Sequence, residues 1–112
     1  MNDPVRVFKA ELFKALGHPA RLRLLDLLRG GERTVSDLQA SLELEGSAVS
    51  QHLMVLRARQ LVEPRREGTN VYYRIRHPAV LTIMDAGRAI FADRLGELQA
   101  GLEADDAAAE GL

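Results

Sequence analysis

The feature that most constrains this chain is a change of apolar period just after Gln60. Before it, apolar residues recur at helical spacing in several short segments; after it, a run of β-formers begins. Phe8, Leu12, Ala15 and Leu16 mark one face of a helix over Val5 to Leu16. Gly17-His18-Pro19 breaks the chain, and Pro19 suits the first turn of a second helix carrying Leu22, Leu24, Leu25, Leu27 and Leu28. Gly30-Gly31 ends it. Thr34 is placed to cap a third helix, with Asp37 three residues on in a capping-box-like pattern and Val35, Leu38 and Leu42 inward. Glu43 to Gly46 forms a short connection, and Ser47 is the expected cap of a fourth helix that turns Val49, Leu53 and Leu56 inward. Then Val62 to Arg66 reads as an edge strand, because Pro64 cannot donate to a central ladder. Glu67-Gly68-Thr69-Asn70 supplies a turn, and Val71 to Arg76 a second strand. His77-Pro78 opens a last helix with Val80, Met84, Phe91, Leu95 and Leu98 along one stripe.

The expected architecture is mainly α with a β-hairpin, in the order α-α-α-α-β-β-α. Two short helices on a tight connection followed by a hairpin form the layout of a winged helix-turn-helix. With 112 residues there is room for one domain, expected over 1–100, ahead of a small-residue acidic stretch, 101–112, expected to be disordered. Aromatics are 4% of the chain, so the core must be built from Leu, Val, Ile and Ala. There are no cysteines, which removes disulfides and thiolate metal sites. Neither a leader sequence nor an apolar run of about 20 residues is visible, and a cytoplasmic location is expected.

The formal net charge of −1 conceals a polarised distribution. Between residues 47 and 77, Arg57, Arg59, Arg65, Arg66, Arg74 and Arg76 face only Glu63 and Glu67. From residue 93 onward the balance is acidic. The basic block is where a nucleic-acid face is to be sought.

Three stretches carry a family resemblance. Phe13-Lys14-Ala15-Leu16-Gly17-His18-Pro19-Ala20-Arg21-Leu22-Arg23-Leu24-Leu25 resembles the opening signature of the ArsR/SmtB family of bacterial repressors. Ser47 to Arg57 resembles the family's recognition helix, and Arg65 to Ile75 its wing. The resemblance covers roughly residues 10 to 78, in order and in register. It implies a dimeric winged-helix protein joined through its first and last helices, and a repressor released from DNA by an effector.

With Val49, Leu53 and Leu56 turned inward, the fourth helix presents Ser47, Ser50, Gln51, Met54 and Arg57 outward. Gln51 can pair bidentately with adenine, the serines can bond bases or phosphates, and Arg57 suits a phosphate. His52, where the family commonly has histidine, reads as a packing or phosphate-contact residue, and His18 as a cap. Arg65, Arg66 and Asn70 in the wing are expected to follow the DNA backbone or enter the minor groove. Those arginines equally keep an exposed sheet edge soluble. Tyr72 and Tyr73 alternate faces, so one packs while the other reaches solvent or the phosphate rim. Arg23 is expected to hold an ion pair, with Asp26 or another acidic neighbour.

The stripes of Phe8 and Leu12 on the first helix and Val80, Met84, Phe91, Leu95 and Leu98 on the last exceed the needs of a small core. Two-fold pairing would bury them and set two recognition helices about 34 Å apart, on an inverted-repeat operator. The family's metal sensors use cysteines on the third helix or Asp, His and Glu on the last. Here Thr34 to Leu38 holds no thiol, and the last helix holds no histidine after His77. No cofactor or metal site is therefore expected; an atypical site for nickel, zinc or cobalt using His77 and carboxylates across a dimer is the alternative. Constitutive repression and sensing by a partner protein are further options. An enzyme is disfavoured, since no phosphate loop or nucleophile–base pair is present. The rival function is a winged helix used for protein–protein assembly.

Overall fold

The structure, a computed structural model, describes residues 3–110, the last two by backbone alone. Its elements run α1 (Pro4–Leu16), α2 (Pro19–Leu28), β1 (Arg33–Thr34), α3 (Val35–Leu42), α4 (Gly46–Ala58), β2 (Val62–Glu67), β3 (Asn70–Ile75) and α5 (Ala79–Glu110). The chain divides into two compact units, one extending to Leu81 and the other starting at Thr82.

Local chemistry sets the helix boundaries. Asp3 caps α1, its carboxylate accepting from the backbone N–H of Val5 at 3.0 Å and of Arg6 at 3.4 Å. The imidazole Nδ1 of His18 accepts from Ala20 N–H at 3.1 Å and caps α2, as its place before Pro19 predicts. Thr34 Oγ1 accepts from Asp37 N–H at 3.1 Å and caps α3. The cap of α4 is Glu45, without a side-chain hydrogen bond, and Ser47 already lies inside the helix. Gly46 adopts helical geometry one residue earlier than the capping preference of Ser47 suggests.

The C-terminus of α4 closes in a Schellman motif. Leu61 N–H donates to Leu56 C=O at 3.0 Å and Gln60 N–H to Arg57 C=O at 2.8 Å. Gln60 sits at φ 59°, the left-handed position that usually takes glycine. Leu61 and Leu56 are both buried, supplying the apolar contact that accompanies this motif.

The sheet has three strands in the order β1-β3-β2. β2 is an edge strand, as Pro64 requires, with Pro64 opposite Tyr73 and Arg65 opposite Tyr72. The hairpin turns through Gly68 at φ 62°, the first central position of a two-residue turn whose flanks are Glu67 and Asn70. β1 was not foreseen, since two residues are too short to show a period. It pairs Arg33 with Tyr73 and Thr34 with Tyr72, which makes β3 the central strand.

The core gathers where α2, α3, α4 and the base of the sheet meet. Leu24, Leu25, Leu38, Val49, Leu53, Leu56, Val62 and Val80 are its most deeply buried side chains. No charged or polar residue is buried with them among the described residues. Val80 is 2% exposed and belongs to this core, which corrects its expected place on a subunit interface: Ala79 and Val80 form the first turn of α5, within the first unit.

Helix α5 has 32 residues, a length of about 48 Å at 1.5 Å per residue. The stretch expected to be disordered from residue 101 is instead helical as far as Glu110. Its alanines, among the strongest helix formers, explain the continuation. Residues 111 and 112 lie outside the described part. No described helix is long and apolar enough to cross a membrane.

Candidate nucleic-acid interface

Helix α4 is half core and half surface. Val49, Leu53 and Leu56 are buried, while Ser47, Ser50, Gln51, Met54 and Arg57 are exposed. Met54 is 67% exposed on this outward face. Beside it, a groove of about 400 Å³ runs between α4 and the hairpin. Ser50 and Met54 line it from the helix, Arg66, Asn70 and Val71 from the hairpin, and Ser36 from α3. Ser36 and Thr69, also in this lining, were missed by sequence reasoning; only the tertiary docking of α3 and the turn against α4 brings them in.

The two adjacent wing arginines part company, because successive strand residues face opposite sides of a sheet. Arg66 lies on the groove side with α4. Arg65 lies on the other, where its Nη2 donates to Glu32 at 2.6 Å, its Nε to the same carboxylate at 3.2 Å, and its Nη1 to Glu67 at 2.8 Å. Its guanidinium also sits 4.6 Å from the centroid of the Tyr72 ring. The hydrogen bond from Arg65 holds the Glu32 carboxyl below the usual carboxylate range. Arg65, expected at the DNA backbone or in the minor groove, is thus engaged on the far face with two acids and with Tyr72, itself expected among the DNA-contacting residues. Tyr73 is the buried member of the tyrosine pair. Arg74 is paired with Glu63 at 2.7 Å, and Arg59 with Glu11 at 3.3 Å.

His52 is turned away from the exposed face of α4. It is half-buried, with its ring centroid 4.4 Å from that of His18 and its Nδ1 3.4 Å from Arg21 Nη1. Burial, then the neighbouring His18 and Arg21 charges, lowers its pKa from the usual histidine value. The packing half of its expected role describes this position. Arg21 also donates to the backbone carbonyls of Ala15 and Lys14, satisfying the open end of α1. Arg23 donates to Ser41 C=O at 3.3 Å; Asp26, its expected partner, pairs with Arg29.

Of the residues expected at a subunit interface, Phe8, Phe91, Leu95 and Leu98 are exposed and Leu12 and Met84 half-buried. Ile90, beside Phe91, and Leu102, one turn past Leu98, are 70% and 65% exposed and add to the apolar surface of α5. Among the described residues of one protomer, no three metal-ligating side chains are grouped to hold an ion.

A helical pair with one polar outward face, seated beside a basic-edged hairpin on a three-stranded sheet, defines a winged helix-turn-helix regulator. Residues 18–63 match the family of bacterial regulatory proteins of the ArsR type. The HTH-type transcriptional regulator Rv0081 of Mycobacterium tuberculosis is 40% identical over 103 residues, 91% of this chain and 90% of its own. The crystal structure of M. tuberculosis Rv0081 superposes with a TM-score of 0.77 at 38% identity, over 86% of this chain and 97% of that one. The biofilm growth-associated repressor of Agrobacterium fabrum is 40% identical over 82 residues, 73% of this chain and 70% of its own. The homodimeric winged helix-turn-helix DNA-binding domain Mb0332 from Mycobacterium bovis gives a TM-score of 0.73 at 34% identity, over 81% of this chain and 84% of that domain. This chain belongs to the ArsR family.

Proposed function

We propose that this protein is a transcriptional repressor that binds an inverted-repeat DNA operator as a homodimer in the cytoplasm. The observation that carries the reading is the convergence of the polar face of α4 and the Arg66 face of the hairpin on one groove edge. A single α-helix fills the DNA major groove, and a hairpin beside it reaches the flanking backbone or minor groove. In this reading Gln51 and Ser47 meet base edges, Ser50 and Arg57 meet bases or phosphates, and Met54 packs on a thymine methyl. Arg66 and Asn70 follow the backbone from the wing. His52 supports α4 from within.

Dimerisation supplies the second half-site. Phe8, Leu12, Met84, Phe91, Leu95 and Leu98 are the residues it would cover, and the homodimeric Mb0332 domain supports pairing as such. Relatives named as repressors, such as that of A. fabrum, support the direction of regulation.

The test is fluorescence anisotropy with DNA from upstream of the protein's own gene against a scrambled control, across a salt series. Tight binding to the native fragment alone, with log affinity falling linearly in log salt, is expected. Absence of binding even at low salt would contradict the reading and favour a protein–protein assembly module.

A further inference from the structure

We propose that Arg65 is a positioning residue: the bridge it makes from β2 to Glu32 fixes the wing against the body of the domain and so sets its presentation to DNA. This rests on the DNA-binding reading above, but not on which bases are read. The argument begins with topology. Among the described residues, β2 is the outer strand of the hairpin and pairs only with β3, so no ladder hydrogen bond there ties it to β1 or to the helices on that side. Arg65, Tyr72 and Thr34 form one cross-strand row, from β2 through β3 to β1. The guanidinium lies over the Tyr72 ring at 4.6 Å and reaches Glu32, two residues before Thr34, with two hydrogen bonds of 2.6 and 3.2 Å. It therefore crosses the central strand and joins the two edges of the sheet.

Its third hydrogen bond, to Glu67 at 2.8 Å, fixes the last residue of β2 before the turn. One planar group thus holds the root of the sheet, the ring at its centre and the start of the wing tip. Only arginine has the donor fork for this, whereas lysine offers a single charge. Arg66, the next residue, is left on the groove face to meet DNA. The sequence places two like residues side by side and the pleat gives them different tasks.

The experiment compares wild type with Glu32→Gln, Arg65→Lys, Arg65→Ala and Arg66→Ala by operator anisotropy across salt, and by amide hydrogen exchange of the free protein. Glu32→Gln is decisive because it removes a negative charge from a DNA-binding protein, which simple electrostatics says tightens binding. The bridge predicts the opposite. Affinity falls about fivefold, the salt slope stays that of wild type, and exchange quickens in β2 and β3 but not in α4. Arg65→Lys keeps the charge and gives the same pattern, while Arg66→Ala lowers the slope by about 0.9, the loss of one phosphate contact. Unchanged or tighter binding by Glu32→Gln, or unchanged exchange in the wing, overturns the proposal. So does a fall in salt slope for an Arg65→Ala protein equal to that of Arg66→Ala, since Arg65 would then touch phosphate. Should wild type bind no DNA, the repressor reading fails, and the exchange result still decides the bridge.

Discussion

The rings of His18 and His52 lie 4.4 Å apart, tilted by 49°, and join the cap of α2 to the inner side of α4. The helix assigned to base reading is therefore seated on the Gly17-His18-Pro19 break within the family signature. Arg21 completes the contact, reaching His52 at 3.4 Å while closing the end of α1.

This seat gives a pH dependence with a definite sign. Burial, and then the nearby His18 and Arg21, hold the His52 pKa below its usual value in the folded state. The unfolded chain takes up that proton near pH 6.5, the folded one only at lower pH. The contribution is present in full above about pH 6.5 and is lost as pH falls toward the folded pKa. Urea unfolding at fixed protein concentration is expected to show a lower midpoint at pH 5.5 than at pH 7.5. Replacing His52 by Gln is expected to shrink that difference.

Gln60 offers a stabilising change. It holds φ 59° in the Schellman turn after α4, a conformation that costs a side-chain-bearing residue roughly 1 kcal/mol. Gln60→Gly removes that strain but frees the unfolded chain, which takes back part of the gain. The net expectation is about 0.5 kcal/mol of added stability, read as a higher urea midpoint with an unchanged slope.

Phe91 tests the proposed association. It is 64% exposed, so changing it removes little from the protomer core. Phe91→Glu would place a charge in the apolar stripe of each partner. Sedimentation equilibrium is expected to show the variant as a monomer at concentrations where wild type is a dimer, with at least a tenfold loss in operator affinity, about 1.4 kcal/mol.

The helices were legible because their signals are local. Asp37 three residues after Thr34, His18 before Pro19, and the inward set Val49, Leu53 and Leu56 each state their place within one or two turns. The hairpin was legible from Pro64 and Gly68 for the same reason. What escaped depends on distant partners. β1 exists only because β3 lies beside it. Arg65 looked like Arg66 until Glu32, 33 residues away, claimed it. Val80 belongs to the apolar pattern of α5, yet it enters the core of the first unit, and no periodicity separates those two fates. Helix α5 passes residue 100 because alanine propensity continues where the apolar stripe weakens.

The central claim is that α4 reads sequence and that two copies do so together. Selection of bound DNA from a random library by the full chain tests both at once. The account predicts enrichment of an inverted repeat with half-sites about one helical turn apart, roughly 10 base pairs, and relaxed preference at one position per half-site for Gln51→Ala. Enrichment of no sequence, or of an unrepeated site bound by a single protomer, would contradict it.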